Sequence, residues 1–251
     1  MEKKLFIPAR LCQKLTRDFF EKRASERGLW VCGIDEAGRG PSAGPVVAAA
    51  AIVRLKKGKR SLLNDSKLLT PEQRNEAYEW IIKNSWFGVG IVNNRLIDRL
   101  GIYQANIVAM HRAFAQLCAQ QAIRPSLVLV DAVRLELPPL LTSPIEGLEN
   151  HDDNDTLNNP WHKIIYFPHS EQYSYSIAAA SIIAKVTRDR IMGELATSFP
   201  CHNLEIHKGY QTPKHRLLLD QHGPTIIHRS SFLRKKVLEP EETPHNMSLL
   251  G

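Results

Sequence analysis

The chain has 251 residues, 43% hydrophobic and 24% charged, with 14 Gly and 15 Pro, which excludes whole-chain disorder and fibrous repeats. Lys and Arg outnumber Asp and Glu by 33 to 26, a net charge of +7 that suits an anionic partner such as nucleic acid and equally a mildly basic protein without one. The longest apolar stretch, Ala43 to Val53, is broken by Gly44 and Pro45 and falls short of the ~20 residues a bilayer span needs, so no membrane association is expected. The N-terminal segment lacks the apolar core of a secretion signal. Cys12, Cys32, Cys118 and Cys201 are scattered with no Cys-x-x-Cys pair, which reads as reduced thiols in a cytoplasmic protein.

The runs Leu29 to Ile34 and Val46 to Val53 are short and rich in β-branched residues, and read as two sequential strands pairing as a hairpin. Thr70 as cap and Pro71 at the first helical position predict a helix to about Asn84, followed by a strand over Trp86 to Val92. From Gln104 to Gln120 the apolar residues Ile107, Val108, Met110, Ala113, Phe114 and Leu117 recur at helical spacing. The buried-looking strand Leu127 to Val130 then delivers Asp131 at its end. Between Arg134 and Trp161 the prolines and the run Asn150 to Asp155 read as a surface insertion, and order resumes at Lys163 to Phe167. Ser176 to Leu195, alanine-rich and free of proline, predicts a long, closely packed helix. Beyond Phe232 the basic, acidic and proline-containing segment reads as a frayed tail.

Chemistry gathers first at Gly33-Ile34-Asp35-Glu36-Ala37-Gly38-Arg39-Gly40-Pro41, where a buried strand ends in two adjacent acids and a Gly-Arg-Gly turn. Adjacent side chains of a regular strand point to opposite faces, so both acids address one site only if the strand end is distorted or one residue offers its carbonyl. The glycines around Arg39 permit close backbone approach to an anion, while the spacing fits neither a Walker loop nor a dinucleotide fingerprint. Asp131, at the C-terminal edge of its strand, is either a turn residue or a further site carboxylate. Were these acids to converge, hard divalent cations such as Mg²⁺ or Mn²⁺ would be needed to neutralise them, and metal-assisted phosphoryl chemistry would follow. Cys201 beside His202 has no catalytic context and reads as a buried thiol, and His202-x-x-Glu205-x-His207 lacks the spacing of a zinc helix.

Asp35-Glu36-Ala37-Gly38-Arg39-Gly40-Pro41, Asn64-Asp65-Ser66-Lys67, Ala179-Ala180-Ser181-Ile182-Ile183-Ala184-Lys185-Val186-Thr187-Arg188-Asp189 and His207-Lys208-Gly209-Tyr210, in that order, resemble ribonuclease HII over most of the chain. The resemblance implies an α/β fold: a ribonuclease H-like mixed β-sheet flanked by helices, with a small helical C-terminal portion. It implies an N-terminal helical extension over 1–28, a catalytic domain over 29–200 with a surface insertion at 133–162, and a C-terminal substrate-binding portion and flexible tail over 201–251.

The implied activity is hydrolysis of RNA paired with DNA and incision 5′ of single ribonucleotides in duplex DNA, leaving 5′-phosphate and 3′-hydroxyl ends. Asp35, Glu36 and Asp131 resemble three of the four carboxylates that hold two Mg²⁺ or Mn²⁺ ions. Gly38, Arg39 and Gly40 resemble the loop that grips the RNA-to-DNA junction, and Tyr210 the aromatic that meets the sugar on its DNA side. Lys67 is placed either to contact a phosphate or to stay solvated. Lys185 and Asp189, four apart on a helix, are spaced to pair, and with Arg188 read as support for the site.

Two departures stand out. Asp131-Ala132 replaces the usual Asp-Gly, and the fourth carboxylate, usually the Asp of Lys-Gly-Asp, falls on Glu171 of Pro168-His169-Ser170-Glu171. A glutamate there is similar to the sister family, ribonuclease HIII, which lacks the Gly-Arg-Gly loop. The expected partners are RNA–DNA hybrid and ribonucleotide-containing DNA, with a monomeric enzyme and protein partners left open. The competing readings are a hybrid-binding protein without efficient cleavage, and cleavage with type HIII substrate habits.

Overall fold

The computed structural model describes residues 5–6, 16–54, 63, 66, 68–121, 125–131, 135, 163–167 and 172–233. Its centre is a six-stranded sheet in the order β1-β6-β5-β2-β3-β4. The strands are β1 Leu5–Phe6, β2 Val31–Ala37, β3 Val46–Val53, β4 Ser85–Val92, β5 Leu127–Asp131 and β6 Lys163–Phe167. β3 pairs antiparallel with both β2 and β4, whereas the β2–β5, β5–β6 and β6–β1 pairs are parallel, so the sheet is mixed.

The helices are α1 Phe19–Ser25, α2 Pro71–Asn84, α3 Asn94–Leu100, α4 Ile102–Gln121, α5 Tyr175–Ser198, α6 Leu204–His207, α7 Pro213–His222 and α8 Ser230–Leu233. α2 starts as the sequence predicts: the Gln73 N–H donates to Thr70 Oγ1 at 3.2 Å and the Thr70 N–H donates to Gln73 Oε1 at 3.0 Å, a reciprocal cap. α3 was not legible in the apolar pattern; Asn93 caps it by accepting from the Leu96 N–H at 2.9 Å, and Gly101, at φ 76°, separates it from α4.

Both faces of the sheet are covered. On one, α4 lies against β3 and β4, with Ile34, Ala48, Ala50, Met110, Phe114, Leu117 and Val130 in a common core. Gly88 and Gly90 allow that approach, since a Cβ at either would stand 2.2 Å from the Ala113 carbonyl oxygen or 1.9 Å from that of Ala109. On the other face α5 brings Ala179, Ala180 and Ile183 against Ala49 and Ala51. A Cβ at Gly33 would lie 2.2 Å from the Ile177 nitrogen, so the alanine-rich start of α5 packs on bare strand backbone.

Three expectations need correction. β2 does not stop at Ile34: the small side chains of β3 continue the ladder through Asp35↔Ala49, Glu36↔Ala48 and Ala37↔Val47, so both acids lie inside a paired strand. The segment expected to be a helical extension supplies α1 and also the edge strand β1, which pairs with β6. Cys201 is exposed, because in its 3-10 turn it is His202 that takes the buried side.

α1 is tied to the core by Glu21, whose Oε1 accepts from the Ser174 hydroxyl at 2.5 Å and the Ser176 N–H at 2.9 Å at the start of α5. Among the described residues no helix is long and apolar enough to cross a membrane. Lys67, Glu171, nearly all of the 133–162 insertion and the tail from 234 onward lie outside the described residues.

Candidate active site

Strand register decides where the carboxylates go. Gly33 of β2 sits opposite Leu129 of β5, and both face α5, where Leu129 shares a core with Ile177. Two residues on, by the period of a strand, Asp35 and Asp131 come to the same face at adjoining strand ends. Asp35 is buried, accepts a hydrogen bond from Ser181 of α5, and takes the Glu36 N–H on Oδ1 at 2.7 Å. Ser181 is fixed in turn by Ser66, Oγ to Oγ 2.9 Å.

Glu36 follows it in the strand, and its charge reaches Asp35. The Asp35 carboxyl is held well above the ordinary carboxylate range, first by burial and then by the charges of Glu36 and Asp131. Glu36 Oε1 accepts from Arg39 Nη1 at 3.2 Å, while its Oε2 is buried without a hydrogen-bond partner. A buried acid destabilised by two neighbouring carboxylates, beside a carboxylate oxygen with no donor, is a donor set suited to a hard cation. The described residues do not form a complete cage: among them no three His, Cys, Asp or Glu side chains are gathered closely enough to hold an ion by themselves.

The Gly-Arg-Gly loop leaves β2 immediately beside these acids. Gly38 has φ 96°, and a Cβ there would stand 2.1 Å from Arg188 Nε, so the position requires glycine on two counts. Beneath the loop lie Arg188 and Arg229, both fully buried. Arg229 donates from Nη2 to the Gly38 carbonyl at 2.7 Å, from Nη1 to that of Arg39 at 3.1 Å and from Nε to that of Gly44 at 3.0 Å. Arg188 donates to the carbonyls of Pro45 at 3.0 Å and Ala43 at 3.1 Å.

In a trans peptide the carbonyl and the following N–H point in opposite directions, and the chain has no cis bond among its described residues. With their Gly38 and Arg39 oxygens drawn down to Arg229, the N–H groups of Arg39 and Gly40 therefore point away from the buried guanidinium. Burial, then the charge of Arg188, pushes the Arg229 pKa down to about 9, which still leaves it a cation at neutral pH.

Tyr210 completes the rim. It is 42% exposed, and a Cβ at Gly40 would lie 3.9 Å from its Cε1. Lys185 Nζ and Arg188 Cζ stand 5.9 and 5.8 Å from its ring centre. Lys185 pairs with Asp189 at 2.8 Å, the pairing expected from the sequence.

Sequence reading missed the histidines behind Tyr210. The Thr225 N–H donates to His228 Nδ1 at 2.9 Å, which assigns the His228 proton to Nε2; that nitrogen lies 3.1 Å from His215 Nε2. His215 then carries its proton on Nδ1 and donates to the Tyr210 carbonyl at 2.9 Å. His207 stacks on His215 at 4.0 Å and accepts the Gly209 N–H on Nδ1. Gly209 and Arg229 hold the loop from the far side, through Ser42 N–H to the Gly209 carbonyl at 3.0 Å and Arg229 N–H to the Ser42 carbonyl at 2.7 Å. The signal that could have found this scaffold is the concentration of His202, His207, His215, His222 and His228 in one short stretch.

The ribonuclease HII family model matches residues 32–235. A curated ribonuclease HII from Caldicellulosiruptor bescii is 39% identical over 218 residues, covering 85% of this chain and 91% of that protein. This chain belongs to the ribonuclease HII family. It is an endoribonuclease acting on RNA paired with DNA. The crystal structure of ribonuclease H2 from Pyrococcus horikoshii is similar with a TM-score of 0.57, at 27% identity over 82% of this chain and 96% of that one. A Bst ribonuclease HIII solved in complex with Mn²⁺ shares the fold, with a TM-score of 0.59 and 18% identity over 90% of this chain and 70% of that one.

Proposed function

We propose that this ribonuclease HII hydrolyses the RNA strand of RNA–DNA hybrids and incises 5′ of single ribonucleotides embedded in duplex DNA. Asp35, Glu36, Asp131 and Glu171 would hold two divalent ions, Mg²⁺ or Mn²⁺. The observation that carries the reading is the buried Asp35, destabilised by Glu36 and Asp131, beside a loop whose Arg39 and Gly40 N–H groups point outward. The related type HIII fold solved with Mn²⁺ supports the metal part.

Bound ions of this kind supply Lewis acidity and a nucleophilic hydroxide at neutral pH. Asp35, fixed by Ser181 and the Glu36 N–H, keeps one carboxylate immobile at the floor. The outward N–H groups of Arg39 and Gly40 are donors for a ribose 2′-oxygen or its adjoining phosphate, and DNA lacks the 2′-oxygen. Tyr210 offers a ring edge to the neighbouring sugar, and a deoxyribose packs there with less crowding than a ribose. Lys67 is assigned to a phosphate contact. In this reading 29–200 is the catalytic domain and 201–251 the substrate-binding portion, and the enzyme works as a cytoplasmic monomer.

Asp35→Asn is the test. It is expected to bind a ribonucleotide-containing duplex and to lose turnover in both Mg²⁺ and Mn²⁺; wild-type turnover in the variant would overturn the assignment. Binding without products in the wild type would favour a recognition-only protein.

A further inference from the structure

We propose that the pocket between the start of α2 and the middle of α5 seats a backbone phosphate of the bound duplex, several base steps from the cut; this rests on the substrate reading above. The cavity, about 350 Å³, is lined by Arg74, Asn75, Asp189, Arg190 and Lys208. Its single acid is already matched, since Asp189 pairs with Lys185 at 2.8 Å. Three cations remain in surplus, the arrangement that recognises a phosphate rather than a neutral group.

Each cation is differently prepared. Arg74 is fixed in the wall, Nε donating to the Ser66 carbonyl at 2.9 Å and Nη2 to that of Leu69 at 2.8 Å. Arg190 lies over the Tyr78 ring at 4.4 Å, and its approach to Glu79 is 3.9 Å between two half-exposed side chains, too loose to hold it from an anion. Lys208 has no ion pair among the described residues, and its backbone sits at φ 50°, a region unfavourable for a residue with a Cβ. That strain sits two residues before Tyr210 and next to Gly209, whose Cβ would stand 2.7 Å from the Ala43 carbonyl oxygen. Lys208 is therefore rooted in the same scaffold as the junction loop.

α5 sets the spacing. Ser181 contacts Asp35, Lys185 and Arg188 lie beneath Tyr210, and Asp189 and Arg190 reach the pocket. From Ser181 to Asp189 is two helical turns, about 12 Å at ~1.5 Å per residue, or roughly three to four base steps at ~3.4 Å each. Floor, sugar platform and pocket thus follow one another along one rigid helix.

The experiment is binding of a duplex with one embedded ribonucleotide to the full chain in chelator, across a range of KCl. Lys208→Asn, which removes the charge and tolerates the backbone conformation, and Arg190→Gln are each expected to weaken binding several-fold. Each should lower the slope of log affinity against log salt by about 1, and Lys208→Arg should restore it. An uncharged methylphosphonate at the seated position should reproduce the loss in the wild type and add nothing in Lys208→Asn. Unchanged salt slopes in both variants, with a wild type that binds and cleaves, would overturn the pocket alone. A wild type that neither binds nor cleaves the duplex would take down the substrate reading with it. Saturation by inorganic phosphate that protects the pocket without displacing the duplex would identify a small-anion site and likewise overturn the proposal.

Discussion

Gly40 and Tyr210 face each other across the rim of the site, with room between them for a Cβ at 3.9 Å from the ring, whereas two residues away a Cβ at Gly38 would collide with Arg188 at 2.1 Å. The two glycines of one turn therefore serve different ends. Gly38→Ala combines positive φ with a buried clash and should cost on the order of 3 kcal/mol in urea unfolding. Gly40→Ala should cost under about 1 kcal/mol. Its effect should fall on incision at a lone ribonucleotide, with the continuous hybrid affected less. Equal stability losses in the two variants would contradict this division.

Arg229 holds three carbonyls of the loop, so its replacement strips the fold and the site together. Arg229→Gln should lower stability by roughly 3 kcal/mol or more, since buried carbonyls lose their donors and a glutamine cannot reach all three. Arg229→Lys should recover little of it, because an ammonium has no planar fork. Denaturant unfolding read beside junction preference checks both halves: variants that stay folded at low temperature should still discriminate poorly between a lone ribonucleotide and a hybrid.

The histidine scaffold gives a pH dependence with a defined sign. His215 and His228 are pushed from an ordinary 6.5 down to about 4, first by burial, then for His228 by His215 and for His215 against the pull of the Tyr210 carbonyl. Between those values the unfolded chain binds more protons than the folded one. Their contribution is fully present above 6.5 and is lost as pH falls toward about 4. The titratable groups that act on both are His202 and His207, and His215 also acts on His228. Tm should therefore fall on acidification through this window, and less steeply in His228→Gln; a flat profile in the wild type would count against neutral, buried histidines.

Asp35 works in the opposite direction. Its pKa is raised, so ionisation at neutral pH destabilises the folded chain, and removing the charge should relieve it. In chelator, Asp35→Asn should melt higher than wild type by a few degrees, about 2–4 °C for each ~1 kcal/mol in a chain of this size. Adding Mn²⁺ should raise the wild-type Tm and leave the variant's nearly unchanged. A variant less stable than wild type in chelator would mean that the three carboxylates are not in mutual repulsion.

Local chemistry was legible in the sequence and long-range geometry was not. Thr70 and Pro71 announced α2 because a cap is a local signal, and Lys185 with Asp189 announced a pair because helical spacing fixes it. The extent of β2 was hidden, since it depends on the small residues of β3 opposite Asp35 and Glu36. Arg229 and Ser181 were likewise invisible as site residues: one reaches back to Gly38 and the other to Asp35 only after the chain has folded. α3 escaped because its seven residues are too short to show a period.

The most direct measurement is mapping of the cut made by wild-type protein in a DNA duplex bearing one ribonucleotide, beside a continuous RNA–DNA hybrid, with Mg²⁺, Mn²⁺ or chelator. Metal-dependent incision on the 5′ side of the lone ribonucleotide, leaving 3′-hydroxyl and 5′-phosphate ends, together with cleavage of the hybrid, is the predicted result. Cleavage of the hybrid with the lone ribonucleotide left intact would contradict the assignment of the Gly38–Gly40 loop and Tyr210 to junction recognition.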